Sequence, residues 1–518
     1  MGITNEDLKI LRYVQDQQQI TLHELSHRFH KNSTSIRRKV DMMNLYANEP
    51  LIEIKRSICT CKLSYEELAI FIRNLSMFDY DSTQMERMNV FIIKAFFHPY
   101  VNTSDLYASW NLSLTTKKHD MQALKAYLAT YHLAIQTVHK KGLTIVGEPL
   151  YFHLLVARIM YILFDLQQDT TITERISNNP MEHLCYTYLE KLEGYREEAF
   201  AKIDQFLTNY DMHMTTFSTK FFFIFICLTK LQPFKLGENY RQNLPLVPRH
   251  IYFTDDTEEN NVYNLVMNLL DFSKLLDFPY DEKLANITTT FVANVRNSLT
   301  SQIYEDQDLI NDCYRYFYKK IIQSHLRVNL LDRLVRNTKD HFPVLYEIVQ
   351  KYSRDIEATY ELDFEDEEYT SLTLLIQKNI IRNRIINTKM QSKAKDIVIV
   401  SNSTYARIDY FMAQLKEVLN VNLVSIIQLS EKEKLHHMKY DYVISLSERI
   451  YSILKQDDFP VLLLNFFLSD NDIERLVLYG FSRIETKFLT ASFVEDIYGL
   501  SKEDMIAYLR NTYNDYFI

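Results

Sequence analysis

Two short stretches carry side chains spaced for recognition rather than for bond-breaking. Ser33, Thr34 and Ser35 run directly into Arg37, Arg38 and Lys39, and further on Thr115 and Thr116 run into Lys117, Lys118 and His119. A further pair of cations, Lys140 and Lys141, precedes Gly142. Hydroxyls beside cations suit a polyanion: the hydroxyls hydrogen-bond phosphate or base edges, and Arg and Lys neutralise phosphates. Covalent and cofactor chemistry is poorly provided for. The sequence holds no GxGxxG or GxxxxGK(S/T), and only 7 glycines in 518 residues. Its cysteines, Cys59, Cys61, Cys185, Cys227 and Cys313, are odd in number and form no CxxC pair. That argues for a reduced, cytoplasmic chain without a zinc site or disulfide framework. No catalytic residue, metal or cofactor is expected.

The elements that must position these residues are readable around them. Asn5 can cap a helix, with Glu6 and Asp7 in its first turn and Leu8, Leu11 and Val14 along one face. Thr21 and Glu24 form a capping box ahead of Leu22, Leu25 and Phe29. After a turn at Lys31–Asn32, Ser33 caps a third helix with Ile36, Val40 and Met43 inward. LIEIKR and CTCKLS then alternate apolar and polar residues, as strands of a small wing do. The order recurs. A helix at 85–97 is followed by one capped by Thr103 with Leu106 inward, then by LTTKKHDMQALKAYLATY (114–131) with Leu114, Met121, Leu124 and Leu128 on one face. Residues 133–148 are two strands around a tip of Lys140-Lys141-Gly142. Helix, helix, turn, helix, wing is the order of a winged helix-turn-helix, whose last helix presents its start to DNA bases. Two such units are expected, at 1–65 and 66–149. Charge agrees: residues 1–150 hold 18 Lys and Arg against 15 Asp and Glu, the remainder 40 against 52. Lys117 and Lys118 suit phosphates, Thr115 and Thr116 bases or phosphates; binding by charge and shape alone is also open. The plainer alternative is a three-helix domain with a basic surface.

Residues 150–390 pattern as helices, and the acidic DDTEENN (255–261) divides 150–261 from 262–390. The apolar run FFFIFICL (221–228) is far shorter than the roughly 20 residues of a membrane span. IIQSHLRVNLLDRLVRN and HFPVLYEIVQKYSRDIEATYELDFEDEEYTSLTLLIQKNIIRNR resemble a PRD, the phosphotransferase-system regulation domain. That resemblance implies a helical bundle whose histidines accept phosphate from sugar phosphotransferase proteins. It implies His325, followed by Leu326 and later Arg333, as acceptor, whereas Leu375 in Leu372-Thr373-Leu374-Leu375 stands where the pattern has its second histidine. Residues 150–261 resemble a more divergent PRD with His183 and His213 as candidates. The plain alternative for His325 is a capping or hydrogen-bonded helix residue. From 395, strand runs in DIVIVS, NLVSIIQL, YDYVISL and FPVLLLNFF alternate with helices, which implies a parallel sheet. This order, over 395–490, resembles the enzyme IIB domain of sugar phosphotransferases, followed by a helical tail at 491–518. In that family a phosphate-carrying Cys ends the first strand. Ser401 stands there, and 395–518 hold no Cys, so the resemblance implies the fold without its chemistry and a role in dimerisation.

The order of all five modules resembles the Mga/AtxA family of virulence regulators of Gram-positive bacteria. The resemblance implies a multidomain, mainly α protein: two N-terminal winged helix-turn-helix units, two helical PRD-like bundles and a C-terminal α/β enzyme IIB-like domain with a parallel sheet. It implies a cytoplasmic, non-enzymatic transcription activator of virulence or carbohydrate-linked genes. Its expected partners are double-stranded promoter DNA, phosphotransferase-system phosphocarrier proteins and a second copy of the chain, with no membrane. The alternatives are a PRD-containing RNA-binding antiterminator or sugar-operon regulator, and a phosphotransferase enzyme. Antiterminators carry a small β domain at the front, whereas this front patterns as helices.

Overall fold

The computed structural model describes residues 2–166, 172–174, 179–237, 244–273, 278–299, 307–328, 338–386, 394–481, 483, 498, 500–502, 504–506 and 508. Arg333 and most of the expected tail at 491–518 lie outside the described residues. The chain is multidomain and mostly helical. It divides into two compact units, Met1–Leu270 with Ile322–Leu330, and Asp271–Ile321 with Leu331–Ile518.

The first unit opens with helices Asn5–Gln17, Leu22–Arg28 and Ser33–Asn44, which bury Leu8, Leu11, Val14, Leu22, Leu25, Ile36, Val40 and Met43. Two caps sit one residue earlier than the sequence suggests. Thr4, not Asn5, closes a capping box with Asp7, and Asn32, not Ser33, accepts the Ser35 N–H at 2.7 Å. In both places two good cap residues are adjacent, and composition cannot choose between them. A hairpin follows, Glu53–Lys55 with Ile58–Thr60, and its tip residues Arg56 and Ser57 have φ of 50° and 65°. Gln19–Thr21, unexpected from sequence, pairs on the other edge of Ile58–Thr60. Beyond residue 65 come a helix, Tyr65–Asn74, and a strand, Tyr80–Asp81, that pairs back in parallel with Ile3–Thr4.

The same order then repeats. Helices Gln84–Phe97, Thr103–Ser109 and Leu114–Ala129 precede a hairpin of Leu133–Val138 with Gly142–Gly147. Asn102 rather than Thr103 caps the middle helix, and Thr103 is buried. Val101 pairs with Leu143 through an isolated antiparallel bridge. At Gly142, φ is +151° and an added Cβ would lie 2.2 Å from the Val101 carbonyl oxygen, so only glycine fits this turn. Leu124 and Leu128 are buried as the periodicity predicts, but Leu114 is 80% exposed. It is the first helical residue and lies ahead of the turn that packs, so its place in the apolar repeat does not bring it to the core.

The rest of this unit is helical, with Pro149–Tyr161, Arg196–Asn209, Thr216–Leu231 and Thr257–Met267. Every residue of Phe221–Leu228 is fully buried, which accounts for the apolar run. The acidic DDTEENN is a helix start: Asp256 accepts the backbone N–H groups of Glu258 and Glu259, and Glu258 and Glu259 sit at the positive end of the helix.

The second unit contains helices Glu282–Ser298, Pro343–Tyr360 and Asp366–Ile386, and Gln307–His325 as far as Ile321. Two ion pairs, each with one buried partner, tie Gln307–His325 to Asp366–Ile386, Lys320 to Glu368 at 3.0 Å and Lys378 to Asp312 at 2.7 Å. Four parallel strands follow in the spatial order Val421–Ile427, Lys395–Val400, Tyr442–Ser445, Val461–Leu463. Helices Tyr405–Val418, Glu448–Gln456 and Asp470–Leu478 alternate with them. Alternate side chains of Lys395–Val400 feed separate apolar clusters, Ile397 and Ile399 in one, Val398 and Val400 in the other. A sheet covered on both faces reads as a continuous apolar run, as DIVIVS does.

Candidate functional site

In the first helix–helix–helix–hairpin assembly, from Asn5–Gln17 to Ile58–Thr60, Ser33, Thr34, Arg37 and Arg38 are exposed and Ser35 is half-buried. Arg37 and Arg38 make no ion pair among the described residues, whereas Lys39 turns inward. Its Nζ lies 2.6 Å from Asp7 and 3.0 Å from Glu6, and Asp7 is completely buried. The Glu6 carboxyl is held below its ordinary range: burial acts to raise it, but the hydrogen bonds and charges of Lys39 and Lys31 prevail. Lys39 is therefore a positioning residue that fixes the third helix to the first.

In the second assembly, Thr115, Lys118 and His119 are exposed at the start of Leu114–Ala129. Thr116 is half-buried, and its hydroxyl shares a hydrogen bond with the capping Ser113. Lys117 is half-buried and donates to Ser104 Oγ at 3.0 Å, which ties the third helix to the second. At the hairpin tip, Lys140 and Lys141 are exposed. Lys140 has φ of 56°, and Lys141 lies 5.6 Å from the centre of the Tyr100 ring. The structure thus gathers the expected residues of this assembly on one helix start and one hairpin tip, with Lys117 partly committed inward.

The group that holds that helix start in place was not singled out from sequence. Asp120 is buried and takes two hydrogen bonds from Arg87, Nε at 2.6 Å and Nη2 at 2.9 Å. It also accepts from the Tyr107 hydroxyl at 2.9 Å and from Gln84 at 3.1 Å. Arg87 further donates to the Ser82 carbonyl oxygen. One carboxylate thereby joins all three helices. Burial would raise the Asp120 pKa, but these hydrogen bonds and the Arg87 charge hold it below the ordinary value. Nothing in one sequence pairs residues 33 positions apart, so the only signal was the seventh place of the helix, which Lys39 fills in the first assembly.

Of the histidines, His183 ends the short helix Pro180–His183, half-buried beside the Tyr186 ring. His213 lies half-buried between helices Arg196–Asn209 and Thr216–Leu231. His325 is the last residue of its helix and half-buried. Its Nε2 lies 3.5 Å from the Tyr151 hydroxyl, which donates to the His325 carbonyl oxygen at 3.3 Å. Burial, and then the neighbouring His132 and Arg327, push its pKa below the ordinary histidine value. A neutral imidazole with an available nitrogen is the form that accepts a phosphoryl group. Leu375, where the sequence resemblance expects a second histidine, is buried.

The family model of the PRD matches residues 289–379. This chain contains a PRD domain. The match spans His325 and Leu375, within the block that the sequence placed at 262–390. A search of curated proteins returns no match. The PRD reaches from Glu282–Ser298 to Asp366–Ile386, so His325 lies inside it at a helix end. Among the described residues no helix is long and apolar enough to cross a membrane.

In the sheet region, Ser401 stands at the end of Lys395–Val400, buried, and its hydroxyl accepts the Ser403 N–H at 3.1 Å. A serine hydroxyl is a far weaker nucleophile than a thiolate.

Proposed function

We propose that the chain is a cytoplasmic, DNA-binding transcriptional regulator whose activity is set by phosphorylation of its PRD by phosphotransferase-system proteins. The observation that carries the regulatory half is the PRD match over 289–379, a span that contains His325, the acceptor implied by the sequence resemblance. The DNA-binding half rests on the repeated helix–helix–helix–hairpin order, read as two winged helix-turn-helix units with cations at the start of the second unit's third helix and at its hairpin tip. The order of modules resembles that of the Mga/AtxA family of virulence activators. Residues 150–261 act as a second, divergent PRD, with His183 and His213 as weaker acceptors. The α/β region, with Ser401 in place of the phosphate-carrying cysteine, serves self-association rather than catalysis, and a two-fold dimer is the commonest such arrangement.

The test is a footprint on fragmented genomic DNA with the bound sequences identified. It is paired with incubation of the chain with phosphoenolpyruvate and the general phosphotransferase proteins, followed by mapping of acid-labile phosphate. Discrete protected sites and label at His325 are expected. Absence of protection removes the DNA-binding half, and absence of label beside a labelled control PRD removes the regulatory half.

A further inference from the structure

His325 does not sit alone: it meets Tyr151, whose ring in turn lies against His132 at the corner where the second assembly's third helix becomes its hairpin. Tyr151, whose hydroxyl faces His325 Nε2 and bonds its carbonyl oxygen, lies in the first turn of Pro149–Tyr161. That helix begins two residues after the hairpin strand ends at Gly147. His132 links Leu114–Ala129 to strand Leu133–Val138, and its ring centre is 5.1 Å from that of Tyr151. The corner has no slack, because a Cβ on Gly147 would lie 2.5 Å from the His132 carbonyl oxygen. On the other side, Arg327 follows the helix end in a left-handed conformation, φ 55°, and the N–H of Val328 closes the turn on Gln323. Gln323 is itself tied to the Leu269 carbonyl at 3.1 Å. His132 and Arg327 are both exposed, and after burial they are the neighbours that lower the His325 pKa.

We propose that Tyr151, His132 and Arg327 form a receiving site for a phosphoryl group on His325, so that phosphorylation is read directly by the third helix and hairpin of the second assembly. This rests on the reading of His325 as a phosphoryl acceptor. In the transfer, the N–P bond of a phosphohistidine carrier protein breaks and the Nε2–P bond forms. The carrier's nitrogen takes up the single proton that the His325 ring gives up. The Tyr151 hydroxyl occupies the space next to Nε2, so the incoming group displaces it from the His325 carbonyl. The group's two negative charges then draw in Arg327, with its several N–H donors, and the ring N–H of His132. Movement of His132 carries Thr130–Leu133 and the paired Gly147 with it, and these are both ends of the hairpin.

The test uses His132→Asn and Arg327→Asn, which keep the left-handed backbone at both positions (φ 55° at each), since asparagine tolerates that conformation. The full-length proteins are incubated with phosphoenolpyruvate and the general phosphotransferase proteins. Label at His325 and hydrogen exchange of residues 129–149 are then followed. In the parent protein, label is expected with a change of at least about fivefold in exchange across 129–149. In the two asparagine variants, the same label is expected with less than about a twofold change. A full exchange response in both variants, or a labelled parent with no response, overturns the receiving site while leaving His325 as acceptor. No label at His325 in the parent overturns the acceptor reading and the receiving site together.

Discussion

The two helix–helix–helix–hairpin assemblies are built alike and wired with opposite sign. The seventh residue of each third helix points inward to an ion pair with the first helix, Lys39 to Asp7 in one and Asp120 to Arg87 in the other. In the first assembly the inward group is a cation, so one positive charge of the Arg37-Arg38-Lys39 run is used up in holding the helix. In the second the inward group is an anion whose cation comes from elsewhere, and Lys118, Lys140 and Lys141 stay outward. The lesson is that the side of a helix that fixes it and the side that it offers to a partner are set independently. The hairpins differ in the same direction. The first has strands of three residues with Arg56 and Ser57 at the tip, the second strands of six residues with Lys140 and Lys141.

The comparison is broken most forcefully at the inward position. Asp120→Ala strands the buried Arg87 and is expected to cost about 3–5 kcal/mol. Lys39→Ala is expected to cost about 1–2 kcal/mol, because Asp7 keeps two hydrogen bonds from Thr4 and the cation it loses is partly solvated. Denaturant titration of both variants decides, and equal costs would mean that the two pairs are not distinguished by burial. Next in size is Gly142→Ala, which puts a Cβ against the Val101 carbonyl oxygen at an unfavourable φ. It should cost roughly 2 kcal/mol and increase hydrogen exchange of the second hairpin alone; a variant as stable as the parent would mean that this turn is not held tightly.

A smaller effect is set by pH. His98, His153 and His325 all have pKa values below the ordinary 6.5, with burial the first cause in each. The unfolded chain therefore takes up protons before the folded one does as pH falls. Stability is expected to decline below about pH 6.5, seen as a lower denaturation midpoint at mildly acidic than at neutral pH. A midpoint that holds or rises would contradict these shifts. The smallest effect is expected at Leu114, where replacement by Ser should change stability by less than about 0.5 kcal/mol because the side chain is exposed. A loss of several times that would restore Leu114 to a core.

Much of this architecture was readable from local pattern. The Lys395–Val400 and Val421–Ile427 strands announce themselves as apolar runs, and the third helices as repeats of Ile36, Val40 and Met43, or Leu124 and Leu128. The pieces that escaped are those defined by distant partners. Gln19–Thr21 is three residues long and is a strand only because Ile58–Thr60 lies beside it. Asp120 and Arg87, among 125 charged residues of the chain, carry no local sign of being a pair, and His325 meets Tyr151 across 174 positions. The cations at 118, 140 and 141 were legible because exposure at a helix start and at a hairpin tip follows from the elements themselves.

The central claim is that the start of the second assembly's third helix and its hairpin tip bind duplex DNA. It is tested most directly by binding titrations on a footprinted duplex at several salt concentrations, with the parent chain and with a Lys118→Ala, Lys140→Ala, Lys141→Ala variant. If the three lysines contact phosphates, the slope of log affinity against log salt should flatten by about 2.7, with the fold unchanged. An unchanged slope and affinity in the triple variant would contradict the claim.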